Sequence, residues 1–110
     1  MYYVYMLRCC DGTLYSGMTS DYERRYREHA AKGRKGAKYT AAHEVSGMAL
    51  LYGTEEKGDA MRLEYRLKQL SKTDKERLIA DGTLFEKLLG GVLDTTLFEA
   101  VDIPEELRVY

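Results

Sequence analysis

Five side chains in this 110-residue chain are of the kinds that manage phosphates and protons: Tyr5, Tyr15, Arg25, His29 and Glu64. The tyrosines sit in two short runs, Tyr3-Val4-Tyr5 and Tyr15-Ser16-Gly17. A phenol titrates near ~10, so it takes part in proton transfer at neutral pH only with cationic help. Arg25 and His29 lie one helical turn apart. A guanidinium held at the edge of a packed helix offers a fixed fork to a phosphate, although Arg25 alone also reads as a solvated helix charge. Glu64 either pairs with a nearby Arg or Lys or holds a hard cation, and by itself pairing is the favoured reading.

These residues are useful only if the chain brings them together. Residues 2–8 are aromatic and β-favouring, and residues 13–18 form a second strand after the turn signal Cys10-Asp11-Gly12. Register decides whether the two tyrosines meet. A loop of Asp11-Gly12 alone would set Arg8 against Tyr15 and put Tyr5 and Tyr15 on opposite faces. A three-residue loop, with Gly12 left-handed in a bulge, sets Leu7 against Tyr15 and Tyr5 against Gly17. Both tyrosines then share a face, and Gly17 leaves room beside the Tyr5 ring. The three-residue loop is the expectation.

Thr19-Ser20-Asp21 offers cap candidates for a helix over 21–32 ended by Gly33, with Tyr22, Tyr26 and Ala30 as its packing stripe. Arg25 and His29 flank that stripe, and Glu23 and Arg27 suit an exposed ion pair. Residues 33–40 form a glycine-spaced loop with Arg34, Lys35, Lys38 and Tyr39, which can approach a phosphate backbone or serve as a plain linker. A half-buried third strand is expected over 47–54, with Met48, Leu50 and Tyr52 on one face and Ala49 and Leu51 on the other. A second helix runs from Lys57 or Asp59 to Leu70, with Asp59 as a possible cap. Its stripe is Ala60, Leu63, Leu67 and Leu70; Glu64 lies at the margin, and Arg62, Arg66 and Gln69 point away. Short helices follow over 74–80 and 83–89, closed by Gly82 and Gly90-Gly91, and the last twenty residues, with the only proline, Pro104, carry no clear pattern.

Length and a 45% apolar content fit one domain with one modest core. Ten tyrosines, two phenylalanines and no tryptophan mean many rings with a hydroxyl to satisfy, some of them lining a wet cleft. No apolar run reaches the ~18 residues of a membrane span and no leader is evident, so a cytoplasmic protein without a membrane partner is expected. Cys9 and Cys10 read as small strand-end residues, without spacing for zinc or a disulfide framework. The net charge of −1 conceals an asymmetry: residues 1–77 carry 15 Lys/Arg against 11 Asp/Glu, and residues 78–110 carry 2 against 7. That balance allows a local basic face, or simply a mixed surface with an acidic end.

Taken in order, these segments resemble the GIY-YIG nuclease superfamily, in particular its small stand-alone bacterial members of the YhbQ/YazA (UPF0213) type. The resemblance covers residues 2–79: Tyr3-Val4-Tyr5, residues 12–19 around Tyr15-Ser16-Gly17, residues 22–29 with Arg25 and His29, Gly36-Ala37-Lys38-Tyr39-Thr40, and residues 60–71 with Glu64. It departs from the family pattern at Tyr3, where the motif has glycine, and at Ser16, where isoleucine or valine is usual. The chain also has no asparagine. The resemblance implies an α+β fold, a three-stranded antiparallel sheet flanked by helices, in a domain over 1–80 with an acidic extension over 81–110. It implies an endonuclease acting on DNA, structure-specific or repair-related, in which Tyr5 and Tyr15 activate water, Arg25 stabilises the phosphate and His29 assists. Glu64 would bind one Mg²⁺ or Mn²⁺. Nucleic-acid contacts are expected from Arg24, Lys35, Lys38, Tyr39 and Lys68. Two other readings are a nucleic-acid-binding module without turnover and a protein-interaction module with an acidic tail.

Overall fold

The computed structural model describes residues 1–35 and 44–108, with side chains for 1–31 and 44–108. The chain opens with the expected hairpin, β1 (Tyr2–Cys9) and β2 (Leu14–Thr19). Gly12 has φ +84°, and its amide bonds the Cys9 carbonyl at 2.9 Å. A left-handed residue at that point is what a three-residue loop requires, and glycine adopts it without a Cβ clash. The register follows: Leu7 faces Tyr15 and Tyr5 faces Gly17.

Helix α1 (Tyr22–Lys35) is capped by Asp21, whose carboxylate accepts the Arg24 amide at 3.1 Å. It passes through Gly33 instead of ending there. Interior glycine costs a helix about 1 kcal/mol, which weakens it without stopping it. The expected basic loop, with Lys38 and Tyr39, and the Lys35 side chain lie outside the described residues.

Strand β3 (Val45–Thr54) pairs antiparallel with β1 and is buried on both faces from Leu50 to Thr54, not half-buried. Its register shifts between Met6↔Leu50 and Leu7↔Met48, leaving Ala49 as an extra residue. A bulge reverses side-chain alternation beyond it. Met48 therefore joins Tyr5, Leu7 and Leu51 on one face, while Leu50 and Tyr52 join Val4 and Met6 on the other.

The face bearing Val4 and Met6 is covered by α2 (Lys57–Gln69), α3 (Lys72–Ala80) and α4 (Leu84–Leu89) through Ala60, Leu63, Leu67, Leu78, Phe85 and Leu89. Glu56, not Asp59, occupies the cap position of α2; Asp59 lies in the first turn and holds Arg62 at 2.7 Å. Ser71 caps α3 by accepting the Asp74 amide at 3.1 Å. The opposite face is covered by Tyr22 and Tyr26 of α1 and by Val101, Ile103 and Leu107 from the end of the chain.

A two-residue strand, β4 (Glu99–Ala100), pairs with β3 at Tyr52 and Gly53, so the sheet has four strands in the order β2-β1-β3-β4 rather than the expected three. Two residues are too few to carry an alternation signal. The fold is α+β, an antiparallel sheet flanked by helices, and no described helix is long and apolar enough to cross a membrane.

Candidate active site

Tyr5 points from β1 across the hairpin toward β2, where Gly17 has no side chain to block it. Its ring is 2% exposed, and its hydroxyl oxygen lies 3.1 Å from His29 Nε2. Tyr15, two residues before Gly17 on the same face, meets the imidazole edge-on, with ring centroids 5.0 Å apart. His29 thus meets both phenols, one buried and one 47% exposed.

Arg25, one turn before His29 on α1, lies beside the Tyr5 hydroxyl, and each alters the other's proton affinity. Burial pushes the Tyr5 phenol above its ordinary value of 10.0. Hydrogen bonding and charge from Arg25 offset part of that rise, while Tyr15 and Glu64 add to it. The Arg25 guanidinium is held more firmly protonated, first by Tyr5 and then by Glu28, whose carboxylate is 3.6 Å away. The underside of α1 is anchored by Tyr22, which meets Tyr3 edge-on at 4.8 Å. Tyr3, standing where the motif has glycine, is therefore a packing residue for the helix that carries Arg25 and His29.

Glu64 projects from the margin of the α2 stripe, as its spacing predicts. Its side chain is 24% exposed, and Lys68 Nζ lies 3.7 Å from Oε2. The pairing expected of Glu64 is thus found one turn along its own helix. Its charge adds to the rise of the Tyr5 phenol. Arg24 is exposed next to Arg25, and Lys68 is exposed beside Glu64.

The fold thus brings Tyr5, Tyr15, Arg25, His29 and Glu64 together. Sequence reasoning missed the Glu28 contact to Arg25, although i,i+3 spacing was the available signal. Among the described residues, no group of three or more His, Cys, Asp or Glu is placed to share a metal ion.

The chain is similar to known proteins. The family model described as the GIY-YIG catalytic domain matches residues 1–77. A UPF0213 protein of Citrobacter koseri is 40% identical over 96 residues, covering 87% of this chain and 94% of its own. The UPF0213 protein YhbQ of Shigella dysenteriae is 41% identical over 91 residues, covering 83% of this chain and 89% of its own. The solution NMR structure of the UPF0213 protein BH0048 from Bacillus halodurans, 37% identical, covers 84% of this chain and 99% of that one with a TM-score of 0.44. The chain belongs to the GIY-YIG nuclease family and, within it, to the small UPF0213 proteins.

Proposed function

We propose that this protein is a metal-dependent endonuclease that hydrolyses phosphodiester bonds of DNA. The observation that carries the reading is the convergence on one buried hydroxyl: His29 at 3.1 Å from Tyr5, with Arg25 beside it and Tyr15 and Glu64 close enough to shift its proton affinity. Perturbed groups gathered this way around an open edge are typical of functional sites.

Because its pKa is raised, Tyr5 is a neutral phenol at neutral pH. A neutral phenol both donates and accepts. With its proton directed to an unprotonated His29 Nε2, the Tyr5 oxygen accepts a hydrogen bond from a water. As that water attacks phosphorus and the P–O bond to the departing sugar oxygen breaks, the water's proton passes to Tyr5 and the phenolic proton passes to His29, so no free phenolate forms; the departing oxygen takes a proton from solvent. Tyr15, exposed beside the imidazole, holds the water from the solvent face. Arg25 directs its fork at the non-bridging oxygens, where charge builds in the transition state.

The carboxylate donor suits a hard cation. Mg²⁺ commonly rests on one or two carboxylates, completing its shell with waters and substrate oxygens, and Glu64 offers one half-buried carboxylate with an exposed side. A cation held there supplies Lewis-acid stabilisation to the phosphate oxygens. Lys68, now paired with Glu64, would turn to the DNA backbone, with Arg24 and the basic residues Lys35 and Lys38 extending the contact.

The test is cleavage of labelled single-stranded, duplex and branched DNA with Mg²⁺ or Mn²⁺, beside EDTA, Glu64→Ala and Arg25→Ala. Metal-dependent products lost in both variants support the reading. Absence of products, or equal cutting by the variants, overturns it.

A further inference from the structure

The outer face of α2 carries a feature that the proposed chemistry does not use. Met61 and Tyr65, one turn apart, are 54% and 58% exposed, and with Val92 and Leu93 beyond α4 they line a hollow of about 260 Å³. Arg62 and Arg66 complete its walls. The Arg66 guanidinium lies over the Tyr65 ring, 5.6 Å from the centroid. Arg62 spends one Nη on Asp59 at 2.7 Å and keeps the rest of its fork.

An exposed tyrosine in an apolar hollow, with one cation over its ring and a second at the rim, combines the two contacts that a nucleic-acid strand needs away from a duplex. The ring stacks an unpaired base, and the guanidiniums hold its phosphate. Among the described residues, no carboxylate belongs to the hollow's lining. A protein partner normally covers about 800 Å² on each side. Six residues around one small hollow fit a base and its phosphate better.

Position supplies the link to the site. Tyr65 follows Glu64 directly, so the hollow lies across the crest of α2 from the Glu64 carboxylate. A helix with its side chains is only about 10–12 Å across. A strand with one phosphate at Glu64 reaches the hollow within a few nucleotides if it is unpaired, whereas a rigid duplex cannot fold over the crest.

We propose that Met61, Tyr65 and Arg66 form a stacking ledge for an unpaired base of the strand whose phosphate sits at Glu64, so that the preferred substrate has a single-stranded stretch beside the scissile bond. The proposal rests on the nuclease reading for its orientation, but the ledge is testable without catalysis.

Fluorescein-labelled oligothymidine and oligouridine, and a blunt DNA duplex, are titrated in EDTA against wild type, Tyr65→Ala, Tyr65→Phe and Arg66→Ala. The expected result is about tenfold or greater loss of single-strand affinity in Tyr65→Ala, recovery in Tyr65→Phe, and duplex affinity unchanged within about twofold. Arg66→Ala additionally flattens the salt dependence. The two oligonucleotides tell whether the sugar matters to the ledge. Equal single-strand binding by wild type and Tyr65→Ala, equal loss of strand and duplex, or a dimer that dissolves on Tyr65→Ala overturns the proposal. A wild type that cuts nothing yet shows the Tyr65 signature supports the ledge while removing the catalytic reading.

Discussion

The Tyr5 ring lies directly over Gly17: a Cβ added there would fall 2.6 Å from the Tyr5 Cζ and closer still to its hydroxyl oxygen. The ring is buried and cannot simply step aside. Gly17→Ala should therefore swing the hydroxyl off His29. The expected outcome is a destabilisation of about 1–3 kcal/mol and a loss of cleavage of about a hundredfold or more, beyond what the melting shift explains. Paired thermal melts and single-turnover cleavage read the two effects apart.

Replacing the phenols separately tests their unequal burial. Tyr5→Phe keeps the ring and removes a bonded hydroxyl, so about 1 kcal/mol of stability goes with it. Tyr15→Phe, at an exposed position, leaves the melt unchanged. The Tyr5 pKa is raised on folding, as burial also raises those of Tyr22 and Tyr52. Stability from these groups is complete below pH 10 and falls as pH rises above it. Denaturant melts at rising alkaline pH should show a shallower decline in Tyr5→Phe than in wild type.

The hairpin is clamped to α3 by a bidentate pair. Arg8 donates to Glu76 at 2.8 and 2.5 Å, Lys72 lies 3.4 Å from the same carboxylate, and Lys72 also donates to the Gly12 carbonyl. The Arg8 hydrogen bond, chiefly, lowers the Glu76 carboxyl from 4.5 to about 2. Its stabilisation is present above pH 4.5 and disappears as pH falls toward 2. With 38% of the side chain exposed, solvent screening limits it to about 1 kcal/mol. Glu76→Gln should melt below wild type at pH 7 and coincide with it near pH 2; a constant gap would contradict the assignment.

Leu107 is 3% exposed and packs in the same cluster as Tyr5, Leu7, Met48 and Leu51, although it lies thirty residues beyond the family-matched stretch. Strand pairing at β4, the Val101 amide bonded to Leu51 at 3.0 Å and a bridge between Met48 and Arg108 hold this segment in place. Leu107→Ala is expected to cost about 2–5 kcal/mol in urea unfolding. A change below about 1 kcal/mol would mean that the end of the chain only leans on the sheet.

What could be read in advance was what short-range rules govern. Gly12 forced the loop, the loop forced the register, and the register put Tyr5 and Tyr15 on one face. The stripe of α1 likewise placed Arg25 and His29, and that of α2 placed Glu64. Long-range pairing was opaque. The bulge at Ala49 that sends Met48 to the Tyr5 face depends on how β3 meets β1, and no local signal in Met48-Ala49-Leu50 announces it. Gly33 looked like a helix stop because glycine so often is one, yet a glycine ends a helix only where the chain must turn left-handed. The end of the chain was unreadable because its contacts, Leu107 under the sheet and β4 on its edge, come from partners more than forty residues away.

The central claim is that Tyr5 and His29 act as one unit. Single-turnover cleavage of one labelled DNA by wild type, Tyr5→Phe, His29→Ala and the double variant, each shown to be folded, tests it most directly. The account predicts that the double variant is no slower than the slower single one, because residues that share a proton path lose their contribution together. Multiplying losses, or full activity in either single variant, would contradict it.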